Sequence, residues 1–432
     1  MTHDTKHFSQ FQTTLFTGAL AAVSALAIPV VIHPVSAALQ DNPKAIVDEA
    51  WQIVNQEYVD PTFNDTDWQS VRQELLSKEY ISQEQAYSAL RDALEQLDDP
   101  YTRFMNPKQY ERLLEQVSGE LSGVGMRLKL DEDTQAVTVV EPIKGAPAIS
   151  AGIQTGDTIL AIDGQSTEGM TVEEAAKRIR GPVGSQVNLQ VGRTGQDDFN
   201  VSLTRARIEI EAVTSRINEE GGRRIGYVQL REFNSHASEQ MEAAIKDLND
   251  QSVDAFVLDL RGNPGGLLRS SLEIARMWLD TGGIVSTVSR DGGVQEERAT
   301  RTALTQSPVV VLVDEDSASA SEILAGAMKD NKRAIVMGDQ TFGKALVQSV
   351  FPLSDGSGLA VTIAHYYTPN GTDISKKGVT PDVKLELTDS EKKELASNPD
   401  RWGTSADPYY LRAVDLLLAD HGTRPIAVSG QR

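Results

Sequence analysis

No cysteine occurs among the 432 residues. Its absence excludes disulfides, thiolate metal sites and cysteine nucleophiles, although it does not identify a compartment. Histidine is scarce: past residue 37 only His236, His365 and His421 remain. None of the three sits in a recognisable catalytic context; a Ser-His-Asp arrangement is not excluded by count, but nothing points to one. Positive charge is outnumbered, 41 Lys and Arg against 62 Asp and Glu, and the net charge of -21 is spread along the chain. That balance speaks against nucleic acid as a partner. There is no HExxH, P-loop or dinucleotide fingerprint in a supporting context, so neither a metal nor an organic cofactor is expected. Tandem repeats and low-complexity tracts are also missing.

One long apolar run is present, LFTGALAAVSALAIPVV over residues 15–31, followed by the small-x-small pattern Val35-Ser36-Ala37. The run is short for a membrane span, contains a proline and ends in processing-type residues, which predicts a signal peptide over 1–37 and export to a periplasm or thylakoid lumen. Lys6 is offset by Asp4, so an uncleaved anchor, with association at a membrane surface, is the alternative; a buried core helix is the plain one.

Residues 38–114 read as helical, with Ala45, Ile46, Ala50, Ile53 and Val54 at helix spacing and a second set through Ala86, Leu90 and Leu94. Residues 115–206 change to short strands and glycine turns (MRLKL, AVTVV, DTILAIDG) with one helical pattern at 172–179. Over 207–388, strand-like runs (IGYVQL, AFVLDL, VVVLV, AIVMG, LAVTIAHYY) alternate with helical patterns at 236–248, 267–278 and 319–331. Such alternation argues for an α/β core. A helical tail over 389–432 completes a multidomain chain of α/β plus β class.

Within the β module, Gly123-Val124-Gly125-Met126 precedes a strand, and GAPAISAGIQTGDTILAIDG follows at 145–164. The pair resembles a PDZ domain. That resemblance assigns Gly123, Val124, Gly125 and Met126 to a loop whose backbone N–H groups bind a peptide's terminal carboxylate, while the peptide adds as a strand. It also places Arg180, just after the module's helix, where the family commonly has a basic residue; a solvated helix-end charge is the plain reading.

In the core, DSASASEIL at 316–324 is the turn between the apolar strand 309–313 and a helical pattern at Ala320, Ile323, Leu324, Ala327 and Met328. A serine there stands beside unpaired helix N–H groups able to stabilise negative charge. Ser319-Ala320-Ser321-Glu322 is also an S-x-x-E capping box, so taken alone Ser319 reads as a helix cap. A base could be Lys344, in GDQTFGKALVQ, if burial beside Phe342, Leu346 and Val347 lowers its pKa. A third stretch, DLRGNPGG at 259–266, makes a glycine turn that can aim an amide at an oxyanion.

Together these stretches resemble the carboxyl-terminal processing proteases, Ser/Lys endopeptidases of family S41 with a crotonase-like α/β core and an inserted PDZ domain. The similarity runs from WQIVNQEYVDP to HYYTPNGTDISKKGVTPDV. It implies Ser319 as nucleophile, Lys344 as general base, Gln348 as the residue orienting it, the amides of Gly265 and Ala320 as oxyanion hole, and Asp330 as a supporting acid. Ser317 and Ser321 are expected to be structural. Ala345 stands where the family usually has glycine, which matters only if φ there is positive. The resemblance implies protein substrates with a free C-terminus. The cyanobacterial and plastid branch fits best, making the photosystem II reaction-centre precursor a candidate substrate. A non-catalytic PDZ binding protein is the alternative.

Overall fold

The computed structural model describes residues 42–131, 133–385 and 387–419; the expected signal peptide and His421 lie outside them. These residues form two compact units, 118–211 and the chain on either side of it. No helix among the described residues is long and apolar enough to cross a membrane.

In the unit 118–211, strands Met126–Leu130, Val137–Pro142, Thr158–Ile162, Gln186–Gly192 and Phe199–Thr204 neighbour one another in that order. Val187, Leu189 and Val191 alternate inward and meet Ala175 and Ile179 of helix Val172–Ile179. The period of two along the strand and the helix's inward stripe together make one core. Strands Glu120–Gly123 and Ala206–Glu209 pair antiparallel, so the chain enters and leaves this unit side by side.

The other unit is built on a six-stranded sheet in the order Val213–Glu220, Arg223–Leu230, Ala255–Asp259, Val309–Val313, Ile335–Gly338 and Val383–Lys384. The first pair is antiparallel and the rest parallel. Strand Val309–Val313 is apolar at every position because both of its faces are covered. Val309, Val311 and Val313 meet helices Ala237–Asp250, Leu268–Trp278 and Ala320–Asp330, whereas Val310 and Leu312 meet helix Pro408–Ala419.

Two expected separate regions are therefore parts of this unit. The tail helix closes one face of the core sheet. The N-terminal helices Pro43–Glu57, Trp68–Ser77 and Gln83–Glu95 bury Ile46, Ala50, Leu90 and Leu94 against Leu359 and Val361 of strand Gly358–Tyr367, and strand Arg103–Met105 pairs with that same strand. Helices of 10–15 residues are marginal alone and need a partner for their apolar stripe. Periodicity shows the stripe but not what covers it.

The tail is also pinned through charge. Arg261, in the glycine turn after strand Ala255–Asp259, bonds to Asp259 at 2.5 Å and to Asp407 at 2.6 Å, all three buried. The rings of Trp402 and Tyr409 lie 4.7 and 4.8 Å from its guanidinium carbon. Tyr227 donates its hydroxyl to Asp259 at 2.7 Å. Removing the cation strands two buried carboxylates, so Arg261→Met is expected to lower unfolding stability by about 3–5 kcal/mol. Urea denaturation followed by tryptophan fluorescence checks this; a loss under about 1 kcal/mol would mean the cluster does not hold the tail.

Candidate active site

Strands Ala255–Asp259, Val309–Val313 and Ile335–Gly338 are parallel neighbours, so the three loops that leave their C-terminal ends share one edge of the sheet. These loops are the three stretches singled out in the sequence, and they are laced together. Ala318 N–H donates to Asn263 O at 3.1 Å, Asp339 N–H to Val313 O at 3.1 Å and Phe342 N–H to Ser317 O at 3.1 Å. Ser317 Oγ donates to Leu260 O at 2.8 Å and Ser321 Oγ to Asn263 O at 2.9 Å. The two flanking serines thus fasten the turn, leaving the middle one.

Ser319 sits at the head of helix Ala320–Asp330 with φ 53° and ψ -110°. A helix cap normally takes an extended conformation. This one lies outside the regions open to a residue with a Cβ, at a cost of order 1–3 kcal/mol, and such strain persists only where surrounding bonds over-determine it. The capping-box half that is unambiguous runs backward: Ser319 N–H donates to Glu322 Oε2 at 2.9 Å.

Glu322 does far more than cap. Its carboxylate is fully buried and also accepts Thr341 Oγ1–H at 2.6 Å, Gly343 N–H at 2.7 Å and Lys344 N–H at 2.9 Å. One carboxylate therefore ties the serine's amide to the lysine's amide. Burial raises its pKa against the pull of these donors. Tyr366, from the neighbouring sheet, aims its hydroxyl at the carbonyls of both Ser319 (3.2 Å) and Lys344.

A cavity of about 530 Å³ opens over these loops and is lined by Ser319, Ala320, Gly265, Lys344 and Gln348. Val285, Ile323, Leu346, Val347 and Ile363 give it an apolar wall. Lys344 is half-buried; of its three expected neighbours Leu346 and Val347 line the same cavity, but Phe342 is 55% exposed. The ring of Tyr101 covers it, 4.7 Å from Nζ. Burial lowers the Lys344 pKa, and the Arg103 charge lowers it further, while Asp99 and Glu322 pull it back up. Ala345 takes a negative φ and is buried, so it fits without strain. The residue held at positive φ is Gly343 (90°), where a Cβ would come within 2.7 Å of Lys377 N.

Gly265 presses against the serine turn: a Cβ there would lie 2.7 Å from Ala318 O and 3.0 Å from Ala320 N. Only glycine permits that approach. Ala320 N–H has no acceptor among the described residues, whereas Gly265 N–H donates to Asn263 Oδ1 at 2.9 Å. Of the two implied oxyanion donors, one is open and the other is engaged internally. Gln348 lines the cavity and its amide lies 3.5 Å from Thr362 Oγ1.

Asp330 is not brought to this cavity. It ends the helix that Ser319 begins, about 15 Å along the axis, and accepts Thr368 Oγ1–H at 2.6 Å and Asn370 N–H at 2.9 Å. Its link to the site is the helix itself. His236 and His365 do not line the cavity. Among the described residues, no group of three or more His, Asp or Glu side chains is placed to hold a metal ion. Tyr101, Arg103, Thr341 and Tyr366 had no local signal in the sequence, and Glu322 showed only its capping-box spacing.

In the other unit, Gly123 ends one strand and Met126 begins the next. Between them the carbonyls of Val124 and Gly125 accept Ala148 N–H and Ile143 N–H, both at 2.9 Å, while the N–H groups of Val124 and Gly125 have no acceptor among the described residues. Arg180 caps helix Val172–Ile179 with its own N–H bonded to Ala176 O, and its side chain is exposed.

A strained serine at a helix start, a half-buried lysine on the adjoining loop and a separate β module with an open amide loop define a serine-type peptidase carrying a peptide-binding domain. The model of peptidase family S41 matches residues 224–385 and that of the PDZ domain residues 114–192. The carboxyl-terminal-processing protease of Picosynechococcus sp. is 43% identical over 88% of this chain and 90% of its own length. The chloroplastic carboxyl-terminal-processing peptidase 2 of Arabidopsis thaliana is 43% identical over 78% of this chain and 68% of its own length. A solved photosystem II D1 C-terminal processing protease is 37% identical, with a TM-score of 0.50 over 81% of this chain and 95% of that one. The chain belongs to the carboxyl-terminal-processing proteases of family S41.

Because burial and Arg103 both lower the Lys344 pKa, a reaction needing the neutral amine rises with pH along a limb below the ordinary lysine range. Replacing Arg103 by glutamine removes a cation that disfavours the ammonium, so the pKa rises and the limb moves to higher pH. Arg103 is exposed, so the displacement shrinks with added salt. The pH profile of kcat/KM for wild type and Arg103→Gln, at low and high salt, measures this; coincident limbs would contradict it.

Proposed function

We propose that this chain is an exported endopeptidase that takes the free C-terminus of a protein substrate in its PDZ module and cleaves near that end with a Ser319/Lys344 dyad. The observation that carries this reading is the strained Ser319, tied through Glu322 to the amide of a half-buried lysine in one cavity. Lys344 takes the Ser319 hydroxyl proton as Oγ bonds to the substrate carbonyl carbon. The oxyanion is held by Ala320 N–H and by Gly265 N–H, which exchanges Asn263 Oδ1 for it. As the C–N bond breaks, Lys344 protonates the leaving amine. Water then attacks the acyl carbon, gives a proton to Lys344, and Ser319 is released with its hydroxyl restored. Gln348 lines the same cavity and orients the lysine.

The open N–H groups of the Val124–Gly125 turn favour a carboxylate as the bound terminus, with Arg180 as a nearby cation. The chloroplastic relative and the photosystem II D1 processing protease make the D1 precursor the first substrate to try, and favour a lumenal or periplasmic location.

Incubation with an unfolded protein bearing an apolar C-terminal tail tests the scheme. Wild type cleaves it, Ser319→Ala does not, and Lys344→Ala loses about 10²–10⁴-fold in kcat. Amidating the substrate's terminus raises KM. No cleavage of any C-terminal substrate by wild type, with binding retained, would instead establish a PDZ binding protein on an inactive scaffold.

A further inference from the structure

The segment that supplies Tyr101 is a long way in sequence from the lysine it covers, and it is held in place by specific bonds. Asp99 accepts Tyr101 N–H at 2.9 Å and Thr102 Oγ1–H at 2.7 Å, forming a tight turn. The same carboxylate accepts Thr362 Oγ1–H at 2.7 Å, and Thr362 N–H donates to Thr102 Oγ1 at 3.0 Å. Strand Arg103–Met105 then pairs with Gly358–Tyr367. The turn is thereby bolted to the sheet beside the cavity, with the Tyr101 side chain lining it.

Two side-chain ends meet there. Neither Lys344 Nζ nor the Tyr101 hydroxyl makes a hydrogen bond among the described residues, and the contact between them is the ring face, 4.7 Å from Nζ. We propose that Tyr101 is a positioning residue for the catalytic lysine, its ring face being the seat on which Lys344 Nζ rests while it gains and loses the serine's proton. This rests on Lys344 being the base. An ammonium formed in a half-buried cleft needs stabilisation, and a carboxylate partner would hold it so firmly that the amine could not be regenerated. An aromatic face attracts the ammonium more weakly, and offers no acceptor to compete with the serine hydroxyl. The other groups around the lysine are Arg103, Asp99, Glu322 and Tyr366. Asp99 and Glu322 are occupied by the bonds already described, and Tyr366 reaches the lysine's carbonyl instead of its amine.

The test is the pH dependence of kcat and of kcat/KM for Tyr101→Phe, Tyr101→Leu and Tyr101→Trp on one peptide substrate. Leucine keeps apolar bulk without a π face: kcat falls about tenfold with KM little changed, and the acid limb moves down by roughly 0.5–1 pH unit because the ammonium has lost its partner. Phenylalanine rescues both, since the hydroxyl is not used. Tryptophan, the stronger cation binder, moves the limb up. If the leucine variant does not fold, as judged by thermal unfolding, the direction of the tryptophan displacement carries the decision. Limbs that coincide across the series, while Lys344→Ala is inactive, would overturn the role of Tyr101 and leave the lysine as base. Undiminished cleavage by Lys344→Ala would overturn both.

Discussion

A single buried carboxylate organises the catalytic edge of this molecule. Glu322 accepts hydrogen bonds from the amides of Ser319, Gly343 and Lys344 and from the Thr341 hydroxyl. Each charge-assisted bond contributes on the order of 1.5–3 kcal/mol, and leaving such donors unpaired in the interior costs a similar amount. That interaction offsets the strain stored at Ser319, where the backbone would otherwise relax to an ordinary cap. It also means that the serine turn and the lysine loop cannot shift independently: moving one breaks bonds that hold the other. Their separation is fixed by the carboxyl group and not by any direct contact between the Ser319 and Lys344 side chains.

The rest of the fold makes that edge available. Three adjacent parallel strands end together, and their loops, laced by Ser317 and Ser321, form one surface. Covering the two sheets requires elements from both ends of the chain: helix Pro408–Ala419 on one face of the core sheet and, against the adjoining sheet, the three N-terminal helices. The buried Asp259–Arg261–Asp407 cluster connects that covering to the glycine turn that carries Gly265. The stretch DLRGNPGG thus carries both a buried ion-pair cluster and the glycine that presses against the serine turn.

Much of this was legible from the sequence. Strands such as Val309–Val313 announce themselves by an unbroken apolar run and the PDZ module by its glycine turns at the right distance, whereas Ser319 and Lys344 stand out only when DSASASEIL, GDQTFGKALVQ and DLRGNPGG are taken together. What escaped is whatever depends on long-range closure. Tyr101 lies in a turn and Arg103 begins a short strand, within a stretch that reads only as helical, and nothing local says that it docks beside residue 344. The two terminal regions read as separate because periodicity gives a stripe without its partner. Glu322 was visible as a capping-box glutamate, but its other bonds come from residues about twenty positions later. Asp330 was carried over by motif alone, and the helix places it at the opposite end from the serine. The Ser319 conformation inverts an ordinary expectation: S-x-x-E normally predicts a relaxed cap, and here the same spacing holds a strained one.

The coupling through Glu322 is most directly tested by amide hydrogen exchange, read at single residues, for wild type and Glu322→Gln. In wild type the amides of Ser319, Gly343 and Lys344 should exchange slowly and with a common protection. In the variant all three should accelerate together, while amides of the core strands, such as those of Val257 and Val311, keep their protection. If Ser319 alone changes, or if Gly343 and Lys344 remain protected without the carboxylate, then Glu322 does not join the serine turn to the lysine loop.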